Sequence, residues 1–195
     1  GALLQEIQTS GMEKDPVVAA QAAIAVGLAG DHAGAERRRA EVLAMPGWAR
    51  LTQGARNFFE GALALAAGHP DEAERSLRGP AEGAPPDPVY VSRVTLGELL
   101  AASGRATDAI AYLEKARGTP PGQEDGNYVS LYPRILLRLA VAHEAAGDRT
   151  LARERLSELL ALWKKADPDL PGVVEARALE RRLGAARVAS GAAAP

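Results

Sequence analysis

The sequence predicts an all-α fold assembled from antiparallel helical hairpins. Three observations carry that expectation: four glycines that follow alanine-rich helical stretches, an alanine at a fixed distance beyond each, and apolar residues at helical spacing on both sides. The glycines are Gly30, Gly68, Gly104 and Gly147, separated by 38, 36 and 43 residues, and the alanines are Ala35, Ala73, Ala109 and Ala152. A glycine can take positive φ at a helix end, so the chain reverses there without a Cβ penalty. Asp31, Asp71 and Asp148 stand in or beside the helix starts that follow, where a carboxylate accepts free backbone N–H groups. The alanine gives the second helix a small contact face, so the pair can approach closely.

Taken in order, the helix pairs are expected at 16–29 and 33–45, 50–67 and 70–78, 88–103 and 106–117, and 128–146 and 149–165. Leu96, Leu99 and Leu100 with Ile110 and Leu113 mark the third pair, and Leu136, Leu139 and Ala140 with Leu156, Leu159 and Leu160 the fourth. Loops are expected at 46–48, 78–88 and 117–127, each marked by Pro and Gly, with Pro80 ending the second pair early. A last helix, 171–183, starts at Pro171 behind Asp167 and Asp169 and closes at Gly184, with Trp163 as its anchor. The chain reads as one helical domain over 1–187 with a flexible, small-residue tail at 188–195. It begins at Gly1 without an initiator Met, as a segment cut from something longer would.

Composition narrows the function. With 41 alanines, 24 leucines and 47% hydrophobic residues the chain can bury a core, so disorder is a poor overall reading. The absence of cysteine excludes disulfide scaffolds, thiolate zinc sites and cysteine nucleophiles, and fits a reducing, cytoplasmic compartment. A net charge of −2 offers no overall basic field for nucleic acid or anionic membrane. The longest apolar run, 16–30, is short of the roughly 20 residues that a membrane span needs. No phosphate-binding glycine loop, HExxH, GxSxG or kinase motif occurs, so no enzymatic chemistry, metal or cofactor is expected.

The phase of these residues resembles the tetratricopeptide repeat family. Gly61, Gly68, Ala73 and Leu77 fit its pattern in the second unit, Gly97, Gly104, Ala109 and Leu113 in the third, and Ala140, Gly147, Ala152 and Leu156 in the fourth. The first unit departs, because Arg39 stands where a large apolar residue belongs. A narrower resemblance, over about 90–183, is to the C-terminal repeat region of bacterial Ser/Thr protein kinases and related signalling proteins. It is carried by Gly147-Asp148, Ala152-Arg153, the run from Leu162 to Pro171 and Glu175-Ala176-Arg177. The resemblance implies a right-handed α-solenoid with a C-terminal capping helix, serving as a non-catalytic protein-interaction scaffold attached to an output domain.

Candidate partner-binding residues follow from placing the family pattern on the first helices, which line the concave surface of such solenoids. They are Phe58, Ala62 and Leu65, then Val94, Thr95 and Glu98, then Arg134, Leu137, Arg138 and Val141. Arg134 and Arg138 stand where carboxylate-gripping members of the family carry a basic pair. Phe58, Ala62 and Thr95 replace the other clamp residues, so the expectation is an apolar-plus-basic groove for a peptide with an acidic group. The competing expectation is that Arg138 pairs with Glu98 or Glu144 and the phenylalanines fill the core.

The basic clusters 37–39 and 177–187 are interleaved with Glu36, Glu41, Glu175 and Glu180, and read as solvated faces with local ion pairs. Nucleic-acid binding is not expected from them. His32, His69 and His143 are scattered and read as structural. An alternative function from another class is self-association or ligand sensing that controls an attached kinase or transcription-regulator domain.

Overall fold

Each of the four glycines closes a helix in the left-handed conformation, with φ of +93° at Gly30, +88° at Gly68, +76° at Gly104 and +84° at Gly147. In every case the glycine N–H reaches back three residues, and the next N–H reaches back five: Asp31 to Val26 at 3.2 Å, His69 to Ala64 at 2.8 Å, Arg105 to Leu100 and Asp148 to His143 at 2.9 Å. These paired bonds satisfy helix-end carbonyls that would otherwise be orphaned. Ala35, Ala73, Ala109 and Ala152 are all fully buried.

The computed structural model describes residues 14–83, 88–118 and 127–191, with the side chains of 127–130 and 185–191 outside the description. Among the described residues there are nine α-helices and no strand: α1 Pro16–Leu28, α2 His32–Leu43, α3 Gln53–Ala66, α4 Pro70–Glu82, α5 Val89–Ala102, α6 Ala106–Arg117, α7 Asn127–Ala145, α8 Arg149–Leu162 and α9 Pro171–Gly191. No described helix is long and apolar enough to cross a membrane. Asp31 caps α2 through the Gly34 N–H at 2.8 Å, and Asp148 caps α8 through the Leu151 N–H at 3.0 Å. Asp71 lies within the first turn of α4, behind Pro70.

Three boundaries differ from expectation. A 3-10 turn at Trp48–Arg50 precedes α3, whose start is moved to Gln53 by Thr52, which accepts the Ala55 N–H at 3.1 Å. Pro80 does not end α4; the helix continues to Glu82 with Pro80 buried. A proline so close to the end removes a single ladder bond, and here its ring is packed away from water. Gly184 does not close α9, which runs on to Gly191. It lacks positive φ, and alanine-rich sequence beyond it sustains the helix. Residues 188–191 of the expected tail are therefore helical, and 192–195 lie outside the described residues, as does most of the expected loop 117–127.

The chain divides into two compact units, Gly1–Leu96 and Gly97–Pro195, with the boundary inside α5. The first unit packs Ala20, Ala23, Val42, Trp48 and Leu63 together, with Phe59 and Ile24 against them. At Gly27 the backbones of α1 and α3 approach so closely that a Cβ would fall 2.3 Å from the Ala66 carbonyl oxygen. The second unit is built on Leu136, Leu137, Ala140, Ala152, Leu156 and Leu159, onto which α9 sets Ala176, Leu179 and Leu183. Each buried leucine contributes about 1.5–3 kcal/mol relative to exposure. Trp163 packs at the edge of this core, and its ring lies so close to Gly172 that a Cβ there would be 2.9 Å away.

Candidate functional site

In the first unit, Phe58, Ala62 and Leu65 share one face of α3 at helical spacing, and all three are half-buried. Phe58 meets Phe59 edge-on with ring centroids 5.2 Å apart, and Phe59 in turn meets Trp48 at 6.4 Å. Both phenylalanines are half-buried, and Phe59 packs against the core cluster of the first unit. On α5, Thr95 turns its hydroxyl onto the Val91 carbonyl at 2.9 Å. Val94 is buried, which removes it from any accessible groove surface.

In the second unit the expected basic pair is present but already engaged. Arg134 donates from Nε and Nη2 to the two carboxylate oxygens of Glu98, both at 2.5 Å. That hydrogen bonding leads the forces holding the Arg134 guanidinium above its ordinary pKa. Arg138 donates to Glu175 from Nη1 at 2.6 Å and Nη2 at 3.1 Å, and its Nε lies 3.5 Å from Glu98. The result is an alternating ladder, Arg134, Glu98, Arg138, Glu175, joining the C-terminal part of α5 to α7 and α9. Its charges cancel, so it is not an open cationic clamp. Arg134 is nonetheless 55% exposed, which leaves its guanidinium reachable. Leu137 is buried in the core, because its position on α7 faces α8 and α9 rather than the ladder, and Val141 packs half-buried against the same core.

Glu175 and Arg182 are partners of α7 that local sequence spacing does not reveal. Sequence places Glu175 beside Arg177, but the carboxylate crosses 37 residues to Arg138. Arg182 likewise reaches Glu144 at 2.8 and 3.2 Å, 38 residues away. Arg138 to Glu175 and Glu144 to Arg182 run in the same order along both helices, so α7 and α9 are parallel. The local pairing expected of the 177–187 cluster is not what Glu175 does.

The histidines occupy structural positions, and one of them is left unsatisfied. His32 Nδ1 lies 2.7 Å from the Ala66 carbonyl and His69 Nε2 lies 3.4 Å from Glu36. His143 is 4% exposed with no partner for Nε2, and burial pushes its pKa below the ordinary value. In the 167–170 turn, Asp167 accepts the Asp169 N–H at 2.9 Å, a local turn bond. Among the described residues no group of three or more histidines or carboxylates is placed to hold a metal.

Comparison with protein-family models, with curated proteins and with solved structures finds no match to this chain.

Proposed function

We propose that the chain is a tetratricopeptide-type interaction module, a right-handed α-solenoid segment without catalytic activity, acting as the regulatory part of a larger bacterial signalling protein. The observation that supports this best is the common geometry of the four turns: left-handed glycine, the same pair of reverse hydrogen bonds, and a fully buried alanine five residues on. The partner is a peptide or domain that engages the first helices. In the second unit Arg134 meets its acidic group, and in the first unit Phe58 offers an apolar anchor.

The ladder changes how that acidic group binds. It must displace Glu98 from Arg134, and exchange between exposed ion pairs costs little, since such pairs contribute roughly 0.2–1 kcal/mol. Affinity at this point is therefore modest and salt-sensitive. The experiment is a pulldown from source-cell lysate with the wild-type chain and the Arg134→Ala/Arg138→Ala variant, its folding checked by thermal unfolding. Retention of every partner by the folded double variant would sink the proposal.

A second reading, self-association, is favoured by Leu162, Leu170 and Val174, each about half exposed at 54%, 50% and 51%. It requires a dimer at micromolar concentration, and a monomer by light scattering counts against it.

A further inference from the structure

α9 carries arginines on two flanks, and only one flank is satisfied. Toward α7, Glu175 and Arg182 pair with Arg138 and Glu144. Toward α8, Arg177 and Arg181 line an open recess of about 480 Å³ together with Trp163 and Lys164. Among the described residues, these three cations make no hydrogen bond or ion pair with the protein. Glu180 is the one carboxylate in the recess lining, leaving it with two uncompensated positive charges.

The apolar lining of the recess is Trp163 with Leu160 and Val173. Trp163 is fixed against Gly172 and packs at the edge of the core, so its ring is a rigid wall. Beside the recess, Leu170 and Val174 stand with its two arginines, Arg177 and Arg181, at intervals of four, three and four, which places the four on one stripe of α9 and the turn before it. All four are exposed. The stripe begins apolar and ends basic, and its two guanidinium groups arise about 6 Å apart along the helix axis. Alternate side chains of an extended peptide are spaced by a similar distance, about 6.6 Å.

We propose that this recess is a second recognition site, taking an extended acidic protein segment in which carboxylates at alternate positions meet Arg177 and Arg181 while a neighbouring apolar side chain lies against Trp163. Charge complementarity selects the occupant: a neutral or basic segment would leave both arginines uncompensated, and the ring with its apolar neighbours adds contact area that a bare anion cannot use. The site is independent of the Arg134 ladder, which lies on the other flank of α9.

The test follows the two tryptophan indole N–H signals by NMR during titration with a capped hexapeptide of alternating Leu and Glu. Trp48 is 7% exposed and serves as the folding control. The expected result is a shift of the Trp163 signal with Trp48 unmoved, weakened about tenfold by Arg177→Gln/Arg181→Gln and unchanged by Arg134→Ala. No shift of Trp163, or equal binding of the same peptide with Gln for Glu, would overturn the proposal. Equal occupancy by inorganic phosphate would also overturn it in favour of a simple anion site, and displacement by oligothymidine in favour of nucleic acid.

Discussion

Arg138 holds Glu175 at 2.6 and 3.1 Å while its Nε stays 3.5 Å from Glu98, so one side chain of α7 is tied to both α5 and α9. Arg138 and Glu175 are 33% and 39% exposed, so solvent screens the pair and its worth is that of a surface bridge in good geometry. A double-mutant cycle with Arg138→Met and Glu175→Gln is expected to give a coupling of about 0.5–1 kcal/mol by urea unfolding, falling as salt is raised. A coupling indistinguishable from zero at low salt would mean that this pair does not help to hold α9, leaving Ala176, Leu179 and Leu183 with the Arg182–Glu144 pair.

Two glycines with opposite roles provide a second prediction. Gly104 has φ of +76°, so Gly104→Ala forces a Cβ into the left-handed region and is expected to cost about 1 kcal/mol or more. Gly184 lies inside α9 with nothing within 4 Å of the place a Cβ would take, so Gly184→Ala is expected to stabilise by about 0.5–1 kcal/mol. Urea midpoints of the two variants should move in opposite directions. Movement in the same direction would contradict the helix boundary at Gly191.

The same pair of residues shows what is legible in the sequence. Gly30, Gly68, Gly104 and Gly147 can be read because a left-handed cap is a local property, decided by a few adjacent residues and repeated in phase. Gly184 misleads for the complementary reason: the same residue type is tolerated within a helix when no turn bond forms, and the short-range pattern does not distinguish the cases. The first-helix positions of Arg134 and Arg138 are also legible from repeat phase. Of their partners, Glu98 is the one expected for Arg138, whose Nε lies 3.5 Å from it, although its shortest bonds go to Arg134; Glu144 pairs with Arg182 instead, and Glu175 is missed because it lies 37 residues away and local charge spacing points to its neighbours. Val94 and Leu137 show the remaining error, since a family register locates a helix face only to within its angular width, and both side chains rotate into the core.

Arg39 tests how the first hairpin tolerates a cation at an apolar position. Its side chain is 13% exposed and contacts Glu36 and Glu72, the latter across to α4. Burial works to lower its pKa, but Glu72 and then Glu36 outweigh burial and hold it raised. The aliphatic stem fills the place of a leucine, so packing rather than charge is the larger contribution. Arg39→Met is therefore expected to stay within about 1 kcal/mol of wild type, and Arg39→Ala to lose about 2–3 kcal/mol. Equal losses for Met and Ala in urea unfolding would assign the stabilisation to the ion pairs.

His143 sets a pH dependence whose sign follows from its burial. Desolvation is the largest influence and lowers its pKa; Asp148, Glu114 and Glu154 oppose that, while Arg155 adds to it. In the unfolded chain the imidazole returns to about 6.5. Between the lowered folded value and 6.5 the unfolded state binds more protons, so stability falls as pH drops below about 6.5 and is unaffected by this group above it. Glu114 acts in a lower window: burial raises its pKa, but hydrogen bonds from Arg117 and Arg155 win and hold it below the usual carboxylate value, so its contribution is lost only in stronger acid. Comparing urea midpoints at about pH 7.5 and about pH 5.5 separates the two. Wild type is expected to lose stability over that interval, and His143→Gln, which cannot protonate, to lose less. An equal loss in both proteins would place the acid sensitivity elsewhere in the chain.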